Sequence, residues 1–213
     1  MPGDEHPLEI LTPSARSRLR NLVLADSIVC STSREVVAAL SLEEGGQWRA
    51  EELLAAVAES ESKVASARAM RLVEHRERSS GELSVRLTED GYAPETIQIT
   101  VARFVELGLV DDVRYTDLFI RSKVSAGWGT RRITDSLRRM QIPDDLALER
   151  LAEAGVDDET DYIRALLLVR KKPPADRAGV ERSMARLVRR GFSFDTARRA
   201  AQSAYAERET EST

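Results

Sequence analysis

The chain has 213 residues, 42% hydrophobic and 32% charged, so it holds enough apolar side chain to bury a core and is expected to be soluble and globular, in one to three compact modules. Its longest apolar runs, such as Ala165-Leu166-Leu167-Leu168-Val169, fall far short of the roughly 20 residues of a membrane-spanning helix; the acidic start Met1-Pro2-Gly3-Asp4-Glu5 does not read as a secretory signal, so a cytoplasmic protein without membrane contact is expected. The net charge of −4 conceals a polarity, −5 over residues 1–60, −3 over 61–112, 0 over 113–158 and +4 over 159–213, which at the C-terminal end favours a polyanion or an acidic protein surface as partner.

In chain order, residues 1–15 are expected to be disordered. Two short β-prone runs between Arg20 and Cys30 flank Ala25-Asp26 in the pattern of a hairpin, and any β-structure is expected within residues 18–32. Cys30 is the one cysteine, so it cannot form an internal disulfide and reads as a small apolar filler. Glu35 to Leu40 and Ala50 to Ala58 read as helices, with Glu44-Gly45-Gly46 as the break between them.

Beyond residue 60 a repeat takes over. Leu87, Leu137 and Leu187 are spaced 50 residues apart, and each precedes by four residues a matching site, Gly91-Tyr92, Gln141-Ile142 and Gly191-Phe192. Ser79-x-x-Glu82 has capping-box spacing, Gly91 and Gly108 sit where helices end, and Pro94 suits a first turn. Apolar residues recur at helical spacing, as in Ile97, Val101, Phe104 and Val105, or in Val180, Met184, Leu187 and Val188. Three helices per copy follow, over 63–77, 79–90 and 94–107, over 112–126, 130–140 and 144–154, and over 159–172, 177–190 and 194–206. The expected organisation is an N-terminal extension (1–60), three-helix repeats at 61–110, 111–157 and 158–206, and a polar tail (207–213) with no apolar residue to prolong the last helix. Helices of about 12 residues are only ~18 Å long, and copies that touch mainly their neighbours build a strip.

Catalytic chemistry lacks its supports. His6 and His75 have no partner at metal-ligand spacing, and there is no phosphate-binding glycine loop, dinucleotide fingerprint or nucleophile elbow. No catalytic, cofactor or metal residue is therefore assigned, and a protein that is not an enzyme is expected. The acidic pairs Asp111-Asp112, Asp144-Asp145 and Asp157-Asp158 each fall where a helix starts and read as caps.

Arginine placement stands out instead. On a helix over 130–140, Ile133, Leu137 and Met140 share one side while Arg131, Arg132, Arg138 and Arg139 lie opposite. Over 177–190, Val180, Met184, Leu187 and Val188 form the inner stripe and Arg182, Arg186, Arg189 and Arg190 the outer face. In the first copy the equivalent face mixes Glu82, Glu89 and Arg86, so the later faces read as binding surfaces rather than as solvation. Arg170, Lys171 and Lys172 join these candidates. Trp128, held between Gly127 and Gly129, can stack on a base, fill a partner's pocket or close its own module's core, and core closure is the favoured reading.

The run Glu106-Leu107-Gly108-Leu109-Val110-Asp111-Asp112, followed by Arg114-Tyr115, Phe119, Arg121-Ser122, Gly127-Trp128-Gly129-Thr130-Arg131-Arg132-Ile133 and Leu137, resembles the second-repeat signature of the RecX family. Arg76-Glu77-Arg78-Ser79 with Glu82-Leu83 and Leu87 is similar to that family's first repeat, and Arg189-Arg190-Gly191-Phe192 with Arg198 to its third. Thr130 departs from the proline often found after Gly-Trp-Gly, and Gln141 from the glycine that usually closes the next helix. The resemblance implies an all-α fold of tandem three-helix repeats in an elongated curved array, with the short hairpin in the N-terminal extension. It also implies a monomeric regulator in DNA repair, homologous recombination and the SOS response. Such a protein lies in the groove of the RecA filament on single-stranded DNA and restrains recombinase, ATPase and coprotease activity. Two readings of the residues stay open beside it: a direct DNA-binding, helix-turn-helix-like repressor, and a helical adaptor without nucleic-acid contact.

Overall fold

The computed structural model of the chain describes residues 4–211, and it begins with strands. These are β1 (His6–Pro7), β2 (Glu9–Leu11), β3 (Leu19–Leu24) and β4 (Ser27–Ser33). Ala25 and Asp26 both take positive φ, 49° and 60°, the left-handed pair that lets a two-residue turn match the twist of its strands, so the expected hairpin forms where the sequence puts it. β2 adds to its free edge in antiparallel register, Ile10 opposite Leu22. Helix α1 (Arg34–Ala39) follows, capped by the Ser33 hydroxyl accepting from Val36 N. β5 (Gln47–Trp48) pairs back with β1.

Two expectations about this region are corrected. Residues 4–15 are not disordered, and β-structure is not confined to 18–32: Leu8 is fully buried between two edge strands, and its backbone exchanges hydrogen bonds with Gly45 and Gly46. Runs of two or three residues are too short to show alternation, so pairing with distant partners makes these strands. Residues 1–3 and 212–213 lie outside the described residues.

Residues 50–58 and 63–77, expected as two helices, are one, α2 (Ala50–His75). Its buried stripe runs Leu53, Val57, Glu61, Ala65, Ala69, Leu72, with a carboxylate in mid-course. Glu61 is buried because three donors satisfy it: Thr32 Oγ1 at 3.1 Å, Ala93 N at 3.1 Å and Thr96 Oγ1 at 2.9 Å. A fully paired buried acid does not interrupt a helix, whereas in the sequence Glu59-Ser60-Glu61-Ser62 looks like a break. α3 (Ser80–Asp90) starts on the Ser79 hydroxyl and closes on Gly91 at φ +91°, and α4 (Pro94–Glu106) starts on a proline. Asp90, nearly buried at the end of α3, is held by Arg18 and by Arg68 at 2.6 Å, which ties the sheet to α2 and α3. One apolar core therefore joins the N-terminal segment to α2, α3 and α4, from Leu8 and Leu22 through Leu53 to Leu83, Leu87 and Phe104. Cys30 packs half-buried against this core, and burial pushes its thiol up from the ordinary range. This is the first of two compact units, Met1–Asp111 and Asp112–Thr213.

The second unit contains two three-helix groups. α5 (Asp112–Ser125), α6 (Thr130–Arg139) and α7 (Asp144–Glu153) close over Tyr115, Ile120, Ile133, Leu137 and Leu151. α8 (Asp158–Arg170), α9 (Arg177–Arg189) and α10 (Phe194–Glu211) close over Ala165, Val169, Leu187, Phe192 and an alanine stripe at 197, 200 and 204. Asp157 caps α8 in a reciprocal box with Thr160, as expected of that acidic pair. Asp144 and Asp145 lie inside the first turn of α7, where Asp145 Oδ1 accepts from Leu146 N at 2.9 Å and both favour the positive helix end.

The tail is also corrected. α10 runs five residues beyond the expected end at 206, because the carboxylate of Glu207 accepts two hydrogen bonds from Arg170, at 2.5 and 2.8 Å. An ion pair to a neighbouring helix substitutes for the missing apolar contact. The Arg170 guanidinium holds the Glu207 carboxyl below the usual glutamate range. A depressed folded-state value means that the pair's contribution is complete above the ordinary value and is lost as pH falls through the depressed one. Cα chemical shifts of residues 206–210 are expected to stay helical near neutral pH and to move towards coil below about pH 4, while those of residues 196–201 hold.

Candidate functional site

The link between α5 and α6 is built from backbone. Gly127 turns at φ +74°, and Trp128 N donates to Lys123 O at 3.0 Å. The Trp128 ring meets Phe119 edge-on at 6.5 Å and lies half-buried against the core of α5–α7, a placement that helps to close this core. Its outer face carries the Arg132 guanidinium, 3.7 Å from the ring centroid.

A helix begins with N–H groups that have no partner inside it. In α6 these groups face the third module. Gly129 N donates to Arg190 O at 2.9 Å, Arg131 N to Gly191 O at 3.1 Å and Thr130 N to the buried carboxylate of Asp161 at 3.0 Å. Asp161 also accepts from Arg164 at 2.7 Å, and Arg164 reaches on to the Trp128 carbonyl. Burial pushes the Arg164 guanidinium down from its ordinary value, and Asp161 opposes that push. Arg190 reaches the Gly127 carbonyl at 3.4 Å. Contact this close requires glycine: a Cβ on Gly191 would stand 2.6 Å from Arg132 N, and one on Gly129 would overlap the Gly191 and Phe192 backbone. The Gly-Trp-Gly segment is thus a module joint.

The candidate cations fare unequally. On α6, Arg132 is stacked on Trp128, Arg138 pairs with Asp144 at 3.1 Å, Arg139 donates to Ser136 Oγ at 2.7 Å, and Arg131 is exposed. Arg170 is committed to Glu207, and Arg190 to the joint. Lys171 lines an opening of about 530 Å³ with Arg164, Leu167 and Leu168. Lys172, Arg182, Arg186 and Arg189 come together around a separate hollow of about 350 Å³ between the 172–175 turn and α9.

The inner stripe of α9 is corrected as well. Gly179, Ser183 and Leu187 are its buried residues, while Val188 is 43% exposed, because small residues let α9 approach the alanines of α10. That rotation brings Arg186 partly inside. Asp161 and Arg164 were missed in the sequence, although their i,i+3 spacing on one helix marks a pair.

Among the described residues no group of His, Cys, Asp and Glu could hold a metal ion, and no helix is long and apolar enough to cross a membrane. Family models described as the first and second three-helix domains of RecX match residues 65–104 and 111–151. A regulatory protein RecX of Halorhodospira halophila is 34% identical over 141 residues, which make up 64% of this chain and 85% of that one. The chain belongs to the RecX family. A RecX regulatory protein of a Mycobacterium species (strain JLS) is 36% identical over 61% of this chain and 75% of its own length. The fold is shared with solved RecX structures: one aligns with TM-score 0.55 at 17% identity over 90% of this chain and 96% of the other, and that of RecX from Lactobacillus salivarius with TM-score 0.59 at 18% identity over 68% and 96%.

Both departures from the RecX pattern now have a physical reading. Thr130 supplies the N–H that Asp161 accepts and that a proline would lack. Gln141 keeps the left-handed turn that a glycine would make, at φ +58°, and is exposed. A non-glycine residue there costs about 1 kcal/mol, so Gln141→Gly is expected to raise stability by about that much. Gly191→Ala, blocked by Arg132, is expected to lower it by more than about 2 kcal/mol; urea unfolding midpoints of the two variants should move in opposite directions.

Proposed function

We propose that this chain binds a RecA-type recombinase filament on single-stranded DNA and restrains its ATP hydrolysis and strand exchange, as a cytoplasmic monomer with no catalytic chemistry of its own. Membership of the RecX family carries the reading. Three features of the chain support it. The second and third helical modules are joined through backbone contacts into one continuous contact surface. The exposed cations concentrate on the last module, opposite in sign to the acidic first 60 residues. Trp128 packs against a core, and the buried acids Glu61 and Asp161 are engaged in hydrogen bonds and an ion pair.

A filament regulator affects several protomers at once, so inhibition of RecA ATP hydrolysis is expected well below one chain per protomer and with little relief by excess duplex. A direct DNA-binding repressor would inhibit only near saturation of the DNA and would be relieved by duplex, and a curve without inhibition would leave the adaptor reading. The variant Arg131→Glu with Arg189→Glu, both exposed, is expected to weaken filament binding about tenfold or more at unchanged Tm. Unchanged affinity in that folded variant would refute the assignment of these faces. Wild-type affinity should also fall as salt is raised.

A further inference from the structure

The basic faces of α6 and α9 look alike as sequence and differ as surfaces. On α6 three of the four arginines are engaged by Trp128, by Asp144 or by Ser136, and the free N–H groups at its start are taken by the module joint. On α9, Arg182, Arg186 and Arg189 recur at i, i+4 and i+7, a spacing that puts like charges side by side at a cost unless an anion lies among them. Lys172 completes the ring from the far side of the hollow. Among the described residues no carboxylate lines this hollow. Asp176, at the start of α9, is spent on capping through Gly179 N at 2.6 Å and reaches Arg182 only at 3.5 Å.

Two further observations point to an absent ligand. The hollow is built: Pro173 and Pro174 set the turn that walls it, and Gly179 lets that turn approach closely, since a Cβ there would stand 3.3 Å from Pro174 Cα. Arg186 is half-buried in that wall, and its Nη2 is shut off from solvent with no acceptor among the described residues. A buried guanidinium donor without an acceptor is costly, and a small shift of the Arg186 side chain towards an anion in the hollow it lines would remove that cost.

We propose that the hollow between the 172–175 turn and α9 seats one phosphate group of a single-stranded nucleic acid backbone. This rests on the filament reading and narrows it to one site. A single carboxylate saturates one arginine fork, whereas four converging cations suit the dense row of acceptor oxygens along a phosphate backbone. Because phosphates carry no base identity, the seat fixes position along the strand without reading sequence. The three engaged cations of α6, Arg132, Arg138 and Arg139, add little to it.

The test uses the full chain and a fluorescein-labelled dT15 oligonucleotide, read by anisotropy over a range of salt. Lys172→Gln with Arg182→Gln, two exposed changes that leave Arg186 in place, is expected to weaken dT15 binding about tenfold and to lessen the slope of log K against log salt by about 0.7. The charge-matched pair Arg71→Gln with Arg103→Gln, remote from the hollow in sequence and outside its lining, is expected to stay within about twofold. In the wild type, inorganic phosphate should shift the Arg186 Nε resonance where chloride at equal ionic strength does not. Unchanged dT15 affinity and slope in the folded 172/182 variant would overturn the seat. So would loss of polyglutamate binding with dT15 binding intact, since the hollow would then serve an acidic protein surface. Failure of the filament reading looks different: dT15 would bind through the hollow while RecA ATP hydrolysis stayed untouched, and the seat would stand.

Discussion

Gly129 and Gly191 meet backbone to backbone, and the second unit is organised around that approach. Helix α6 begins with unmet N–H groups, and the α9–α10 turn offers two carbonyls within 2.9 to 3.1 Å of them, so each module completes the other's hydrogen bonding. Asp161 adds a charged acceptor to the same helix start, and Arg164 neutralises it in turn. Removing Asp161 alone would leave a half-buried guanidinium without its counter-ion, which is why such pairs hold geometry more than they add stability. Trp128 could not sit where it does without this joint, because the two glycines beside it supply the turn and the close approach that place its ring over Phe119.

The first unit reaches the same end by related means. Glu61, on the helix that opens its three-helix group, accepts from Ala93 N at the start of α4, as Asp161 on α8 accepts from Thr130 N at the start of α6. A Cβ on Gly91 would stand 3.1 Å from Leu19 Cα, so β3 begins against the turn after α3. The groups that meet here are a carboxylate and backbone, which have no place in a hydrophobic pattern.

That accounts for what the sequence disclosed and what it withheld. The 50-residue spacing of Leu87, Leu137 and Leu187 was readable because all three are fully buried leucines at the same point of a repeated helix. The Ala25-Asp26 turn was readable because only a tight turn separates two β-prone runs at that spacing. α2 was split in the reading because a buried carboxylate satisfied from 29, 32 and 35 residues away looks, locally, like a polar surface. The α9 stripe was read one position off because burial of Gly179 and Ser183 serves close packing, and neither scores as apolar. The eleven candidate cations were found by charge, yet charge could not tell engaged ones from free ones. That difference lies in partners such as Asp144 and Glu207, which belong to other helices.

The small-residue packing of α9 has a bearing on how this surface can change over generations. Gly179, Ser183 and Leu187 form the buried face of the helix, Arg182 and Arg189 are exposed, and Arg186 stands between the two. Adding or deleting a single residue would rotate all that follows by about 100°, carrying Arg186 or Arg189 into the alanine stripe and Leu187 into water. Lineages can therefore retune this surface by exchanging one side chain for another, but not by altering the length of the helix that bears it.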